Sequence, residues 1–165
     1  MALSRSIGRL LSRIMCQHDD FVSPLKAFDR KLHARKQGDF LSATVELLGE
    51  LRGPLLAHFR QEDVLFFPAV LLVSEDYRMV RLILKLHAEH CWFRHEVVRL
   101  DQAFGQMLRD RTLPPKRAQN EMNLFVTRLG LHAEVENERV FTLWEKNPNY
   151  HLALNRVRSQ ARQGD

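Results

Sequence analysis

Apolar residues recur along this chain at alternating steps of three and four, which is the pattern of amphipathic helices that bury one face. The first helix is predicted from about Ser6 to Arg35. The second is predicted to begin after Asp39 as its N-cap and to reach Pro68, where it ends or bends. Pro54 lies inside that second pattern and predicts a kink, because proline lacks a backbone donor.

Two further helices are predicted after the next breaks in the pattern. Ser74 is the expected N-cap of the third helix, and the run from Thr112 to Pro115 separates it from the fourth. The fourth helix is expected to stop at 147–149, where asparagine and proline alternate. Its predicted inward positions include Leu143, as those of the second helix include Leu65.

Four long helices joined by short breaks predict an all-α protein, an up-down-up-down antiparallel four-helix bundle. The predicted bundle spans residues 1–147, and a short basic C-terminal tail or helix follows at 148–165. A length of 165 residues is consistent with one domain that has its own core. Seven glycines and six prolines are few, which favours helices over a turn-rich β fold.

Charge and composition exclude several classes of function. The net charge of +5 comes without a basic stripe interleaved with aromatics, so we expect no binding to nucleic acid. No apolar run reaches the roughly 18 residues of a membrane span, so we expect no membrane association. Cys16 and Cys91 form no CxxC motif, which favours a reducing, cytoplasmic location. No nucleophile elbow, P-loop or dinucleotide glycine motif occurs, and we expect no catalytic side chain, which favours a binding protein over an enzyme.

Each predicted helix carries one histidine within its apolar seam. These four histidines are His18, His58, His90 and His132. Glu62 and Glu136 follow two of them by four residues, and residues at that spacing share a helix face. Asp63, five residues after His58, would point about 140° away on an ideal helix. Four imidazoles and two carboxylates in a core are costly unless they bind something, and a metal centre satisfies them.

Six nitrogen and oxygen ligands exceed what one tetrahedral zinc needs. They suit two metal ions bridged by carboxylates and a water-derived oxygen. Imidazole and carboxylate are acceptable to iron, zinc, copper or manganese, so the ligands alone do not select the metal.

The order of these motifs resembles the hemerythrin-like HHE cation-binding domain. The resemblance rests on Glu89 before His90 and on the phrases Leu56–Pro68 and His132–Phe141, and it covers about residues 10 to 145. It implies two iron ions with an oxo or hydroxo bridge, and zinc or manganese are possible occupants. By this resemblance the terminal ligands are His18, His58, His90 and His132, and the bridging ligands are Glu62 and Glu136.

The chain departs from the oxygen-carrying members that it resembles. Those proteins place a second histidine one turn along the third helix and an aspartate five residues after the last histidine. Here the corresponding residues are Arg94 and Asn137, and His87 is left open as a fifth histidine ligand. The resemblance therefore implies iron handling, iron–sulfur repair, or binding and sensing of O2 or NO, rather than reversible oxygen transport.

An alternative class of function is a metal- or redox-responsive interaction module without catalytic activity. In that hypothesis the basic C-terminal segment or the first helix contacts a protein partner or a second copy. The physiological ligand, the metal loaded in the cell and the oligomeric state stay open at this point.

Overall fold

A computed structural model describes residues 23–28, 38–143 and 148–161, and every element within these ranges is helical. The prediction of an all-α protein is confirmed for this part of the chain. None of the described helices is long and apolar enough to cross a membrane. The elements are α1 (23–28), α2 (Gly38–Gln61), the π-helical segment π1 (Glu62–Phe66), α3 (Phe67–Val73), α4 (Tyr77–Arg109), α5 (Lys116–Val135), the π-helical segment π2 (Glu136–Phe141) and α6 (Pro148–Ala161).

The N-cap of α4 is Asp76, so the prediction that Ser74 caps this helix is wrong. The Asp76 carboxylate accepts a hydrogen bond from the backbone N–H of Arg78 at 2.8 Å. Ser74 instead follows the last residue of α3. A charged acceptor at the positive end of a long helix is stabilising, and Asp76 supplies it. The break before α5 is as predicted, with Pro115 directly before the first helical residue.

The two prolines of the second predicted helix do not end it. Helix α2 continues through Pro54. Pro68 lies at the beginning of α3, directly after π1, where the missing N–H of a proline costs little. The π turn arises because the backbone N–H of Phe67 bonds the carbonyl of Glu62, five residues back. The helix therefore extends past Pro68 to Val73.

Each π segment adds one residue to a turn and so changes which side chains face inward afterwards. After Glu62, Phe66 and Phe67 are buried, whereas the predicted Leu65 is only partly buried. The next predicted inward residue, Ala69, is buried. After Glu136, Val140 and Phe141 are buried. The predicted inward residue Leu143 is also only partly buried. The π segments thus begin at the two glutamates of the HxxxE motifs. Beyond them the predicted inward positions Ala69 and Val140 are buried, whereas Leu65 and Leu143 are not fully buried.

Two separate apolar clusters form the described core. Helix α2 contributes to the first cluster and α3 to the second, whereas α4 contributes to the second before the first. Helix α5 meets the first cluster, and π2 meets the second. Helix α4 therefore runs opposite to α2 and α5. The first cluster includes Leu48, Phe59, Phe93, Phe104 and Phe125, and the second includes Phe66, Phe67, Leu86, Phe141 and Leu154.

The segment expected as a basic tail or short helix forms helix α6, which packs into the second cluster. Tyr150, Leu154 and Val157 are buried there, and Leu154 is fully inaccessible. The apolar face of α6 therefore covers the phenyl rings of π1 and π2, and its exposed residues include Arg156.

Candidate metal centre

Five of the six predicted ligands come together in the layer between the two apolar clusters. They are His58, Glu62, His90, His132 and Glu136, and each is at most 3% exposed. His18 lies outside the described residues. The seam positions predicted for these five side chains therefore correspond to one buried polar layer.

The five side chains form two overlapping groups that could hold a metal ion. His90, His132 and Glu136 make the first group, and His58, Glu62 and Glu136 make the second. The candidate ligand atoms in each group lie within 4.8 Å of one another. Because Glu136 belongs to both groups, its carboxylate lies between two possible ion positions.

Distances between ligand atoms are those expected around a metal ion. Within the first group, Nε2 of His132 lies 3.1 Å from Oε1 of Glu136 and 3.0 Å from Nε2 of His90. In the second, Nε2 of His58 lies 3.3 Å from Oε2 of Glu62. That same oxygen lies 3.4 Å from Nε2 of His90. Donor atoms about 2.1 Å from one ion, at octahedral or tetrahedral angles, lie about 3.0 to 3.4 Å apart. The donor set therefore fits a metal.

The electrostatics of the layer favour positive charge. Burial alone would lower the pKa of His132, but the carboxylates of Glu136 and Glu89 outweigh it and raise that pKa to about 9. Buried carboxylates that stabilise a proton on an imidazole also stabilise a cation in its place.

The outward nitrogens of two histidines meet carboxylates from other helices. The Nδ1 atom of His90 lies 2.8 Å from Oδ1 of Asp63, and that of His132 lies 2.8 Å from Oε2 of Glu89. A histidine that donates its Nδ1–H to a carboxylate presents Nε2 as the ligand atom. The hydrogen bond from His132 lowers the pKa of Glu89, although burial opposes it. Both carboxylates are therefore suited to accept these hydrogen bonds.

Asp63 and Glu89 contact two of the candidate ligands, and the sequence motifs did not assign either residue to the site. Helix geometry predicts that Asp63 points away from the ligands, whereas its carboxylate lies against the outer nitrogen of His90. Burial would raise the pKa of Asp63, yet hydrogen bonds from His90, His87 and Arg94 lower it to about 2. The sequence feature that could have indicated these two residues is their position next to candidate ligands: Asp63 directly follows Glu62, and Glu89 directly precedes His90.

His87 and Arg94 form hydrogen bonds with Asp63 rather than with the candidate ligands. Nδ1 of His87 is 2.8 Å from Oδ1 of Asp63, and the His87 side chain is 52% exposed. Nη2 of Arg94 donates to Oδ2 of Asp63 at 2.6 Å. Neither residue belongs to the two groups of candidate ligands.

Phenyl rings enclose the imidazoles. The rings of Phe59 and Phe67 stack on His90 with centroids 4.1 and 5.1 Å away, at interplanar angles of 26° and 16°. Phe93 meets His132 edge-on at 5.2 Å. These contacts hold the imidazole planes and keep water from the layer.

Comparison with known proteins agrees with this geometry. The family model of the hemerythrin HHE cation-binding domain matches residues 9–144. No curated protein and no solved structure matches the chain. The matched range includes every ligand position discussed above and most of the chain. The chain belongs to the hemerythrin HHE cation-binding domain family.

Proposed function

We propose that this chain is a non-haem di-iron protein that binds or senses O2 or NO, or handles iron, including iron–sulfur repair. The observation that carries the proposal is the pair of buried ligand groups that share Glu136. A shared carboxylate between two groups is the arrangement expected for two metal ions rather than one.

The proposed ligands have distinct tasks. His58 belongs to one ligand group and His132 to the other, while Glu62 and Glu136 bring negative charge next to two imidazoles each. His18 is proposed as a further ligand from the first helix, which would complete the up-down-up-down bundle. Bound iron supplies a redox-active Lewis acid with affinity for a small diatomic molecule.

The contacts of Arg94 favour sensing or iron handling over reversible oxygen transport. Arg94 lies one helical turn after His90, where a further ligand would have to stand on this face of α4. Its guanidinium bonds Asp63 and carries a permanent positive charge, so it cannot ligate a metal. With fewer histidine ligands, one metal ion keeps a more open coordination sphere for an exogenous molecule.

Metal analysis of the purified chain tests the proposal. We expect about two irons per chain after anaerobic reconstitution, as in other di-iron bundles. The anaerobic ferrous protein should lack the optical bands of an oxo-bridged diferric pair. Those bands should appear after exposure to O2, which oxidises the iron, and NO added to the ferrous protein should give different bands, those of an iron–nitrosyl complex. A single tetrahedral zinc per chain, with no such bands after iron reconstitution, would contradict the proposal.

A matched pair of substitutions tests the shared carboxylate. Glu136→Gln keeps the side-chain volume but removes the charge common to both groups, so bound iron should fall below about one per chain. Glu138→Gln changes an exposed glutamate of the same π segment, and this variant should bind as much iron as the wild type. Equal iron content in both variants would show that Glu136 is not a shared ligand.

A further inference from the structure

Arg94 and Asp63 connect two elements directly behind a candidate ligand. Asp63 lies on π1 and Arg94 on α4, and Nη2 of Arg94 donates to Oδ2 of Asp63 at 2.6 Å. The other oxygen of Asp63 accepts from Nδ1 of His90 at 2.8 Å. A continuous path therefore runs from a guanidinium at the surface to an imidazole in the centre.

The exposed fraction of the side chains increases along this path from the imidazole to the guanidinium. The His90 side chain is fully buried, that of Asp63 is 11% exposed, and that of Arg94 is 32% exposed. A carboxylate in such a place needs partners for both oxygens, because an unpaired buried charge is costly. Arg94 binds the oxygen that His90 does not use, and thereby limits the rotation of the Asp63 carboxylate.

The orientation of Asp63 determines what His90 presents to the centre. With Nδ1–H donated to Asp63, the Nε2 atom faces Oε2 of Glu62 and Oε1 of Glu136, at 3.4 and 3.5 Å. A hydrogen bond from Nδ1–H to a carboxylate also makes Nε2 a stronger electron donor. Stronger donation stabilises the more oxidised state of a bound iron.

We propose that Asp63 and Arg94 are positioning residues of the metal centre, with Arg94 holding the carboxylate that orients His90 and strengthens it as a donor to iron. This inference rests on the proposed function, since it concerns metal bound by the same ligands. Arg94 acts through Asp63, and its side chain does not touch the metal.

The sign of the change in reduction potential separates positioning from a plain charge effect. Removing a positive charge near the centre would by itself lower the potential, because the oxidised state carries more positive charge. Releasing Asp63 from its place behind His90 would raise the potential, because His90 then donates less strongly. Positioning therefore predicts that Arg94→Ala raises the potential, in the same direction as Asp63→Asn.

The experiment compares iron-reconstituted wild type with Arg94→Ala, Arg94→Lys and Asp63→Asn. We expect iron affinity to fall about 10- to 100-fold in Asp63→Asn and about tenfold in Arg94→Ala. Spectroelectrochemistry should show a raised potential in both, and Arg94→Lys should recover most of the wild-type values, because only one guanidinium nitrogen contacts Asp63. Arg81→Ala, which removes an exposed arginine of the same helix, is the control for loss of one positive charge.

A second readout does not depend on redox chemistry. In zinc-loaded protein labelled with 15N-histidine, the Nδ1–H proton of His90 should resonate far downfield in wild type and Arg94→Lys. It should move upfield or exchange with water in Arg94→Ala. This measurement keeps the inference testable if one iron-loaded variant folds poorly, since Asp63→Asn and Arg94→Lys report on the same hydrogen bond.

The outcomes distinguish the two proposals. If the wild type takes up no metal, the proposed function fails and this inference fails with it. If the wild type binds iron but Arg94→Ala leaves both the potential and the Nδ1–H resonance unchanged, only the positioning role is overturned. A lowered potential in Arg94→Ala also overturns it, because that result is the plain charge effect.

Discussion

At the scale of single residues, the carboxylates of the polar layer form two pairs. One pair contacts the Nε2 atoms of the imidazoles and the other contacts the Nδ1 atoms. Glu62 and Glu136 lie against Nε2 atoms, where a metal would bind. Asp63 and Glu89 accept from Nδ1 atoms on the outer side. In the proposed centre the inner pair would supply ligand charge and the outer pair would fix which ring nitrogen is free. A glutamate and the aspartate next to it in sequence would then have different tasks.

His58→Leu separates a metal ligand from a merely buried histidine. In protein treated with chelator, we expect the variant to be as stable as wild type or more so, because leucine is less costly to bury than imidazole. Added metal at about 100 times its dissociation constant stabilises a binding protein by about 2.7 kcal/mol, and the variant should gain clearly less than that. Thermal melting with and without metal measures both effects.

His95→Leu is the matched control, since His95 is an exposed histidine of α4. It should show the same metal-induced rise in melting temperature as wild type. A full rise in His58→Leu would contradict the assignment of His58 as a ligand.

Residue spacing predicted the inner carboxylates but could not predict the outer ones. Positions four apart share a helix face, so Glu62 follows from His58 without knowledge of any other helix. The contact of Asp63 with His90 joins two elements, and it depends on how π1 and α4 are placed against each other. No spacing within one helix contains that information.

At the scale of elements, the two π segments are the main departure from the predicted helices. Each begins at the glutamate of an HxxxE motif, and the side chains four and five residues after that glutamate are buried. Single π turns within α-helices often occur at functional sites. A period of 3.6 residues cannot predict them, which is why Leu65 was expected to face inward and Phe66 was not.

Deleting Val64 tests this change of phase. Val64 is a half-exposed residue of π1, and its removal turns the π turn into an ordinary α turn. Phe66, Phe67 and Val70 then follow Glu62 at α-helical spacing, so the buried face stays continuous. We expect the free energy of unfolding to change by about 1 kcal/mol or less, as for a mild surface change, in urea titrations followed by circular dichroism.

Deleting Gly49 is the control, because Gly49 is also exposed but lies in the regular part of α2. There the loss of one residue rotates the part of α2 that precedes Gly49 by about 100° relative to the polar layer. Cooperative unfolding should be lost in this variant. Similar loss in both deletions would contradict the phase argument.

At the scale of the whole molecule, α6 is part of the core rather than an appendage. Leu154 is fully buried against the cluster that includes Phe66 and Phe141. Truncation before this helix would therefore uncover phenyl rings and would not isolate a partner-binding tail. Substitution of an exposed arginine such as Arg156 is the cleaner test of the alternative hypothesis, in which the protein is an interaction module.

Leu154→Ala and Leu152→Ala form a matched pair on this helix. Leu154→Ala should lower the free energy of unfolding by about 2 to 5 kcal/mol, because it leaves a cavity in the second cluster. Leu152 is 68% exposed, and its substitution should change that free energy by about 0.5 kcal/mol at most. Chemical denaturation of both variants measures the difference, and equal losses would place α6 outside the core.

The prediction of a basic C-terminal tail or helix did not include this packing, because it rested on the charge of the segment and left the apolar residues of 148–161 unassigned. Their burial depends on a complementary surface, which the π segments create by turning Phe66 and Phe141 toward α6. The family and the burial of the five candidate ligands in one layer were predictable from sequence, because they depend on motifs within single helices. The fit between distant segments depends on no such motif, so it was not predictable from the sequence.

The polar layer also connects the two apolar clusters, with a consequence for how they should unfold. Phe59 of the first cluster and Phe67 of the second both stack on His90, so one imidazole joins the two halves of the core. With metal bound, we expect the layer to tie these halves into one cooperative unit. With metal removed, amide protons of α3 and α6 should exchange with solvent before those of α5, because local opening then follows each cluster separately. Loading and folding cooperativity are thus properties of the same few side chains.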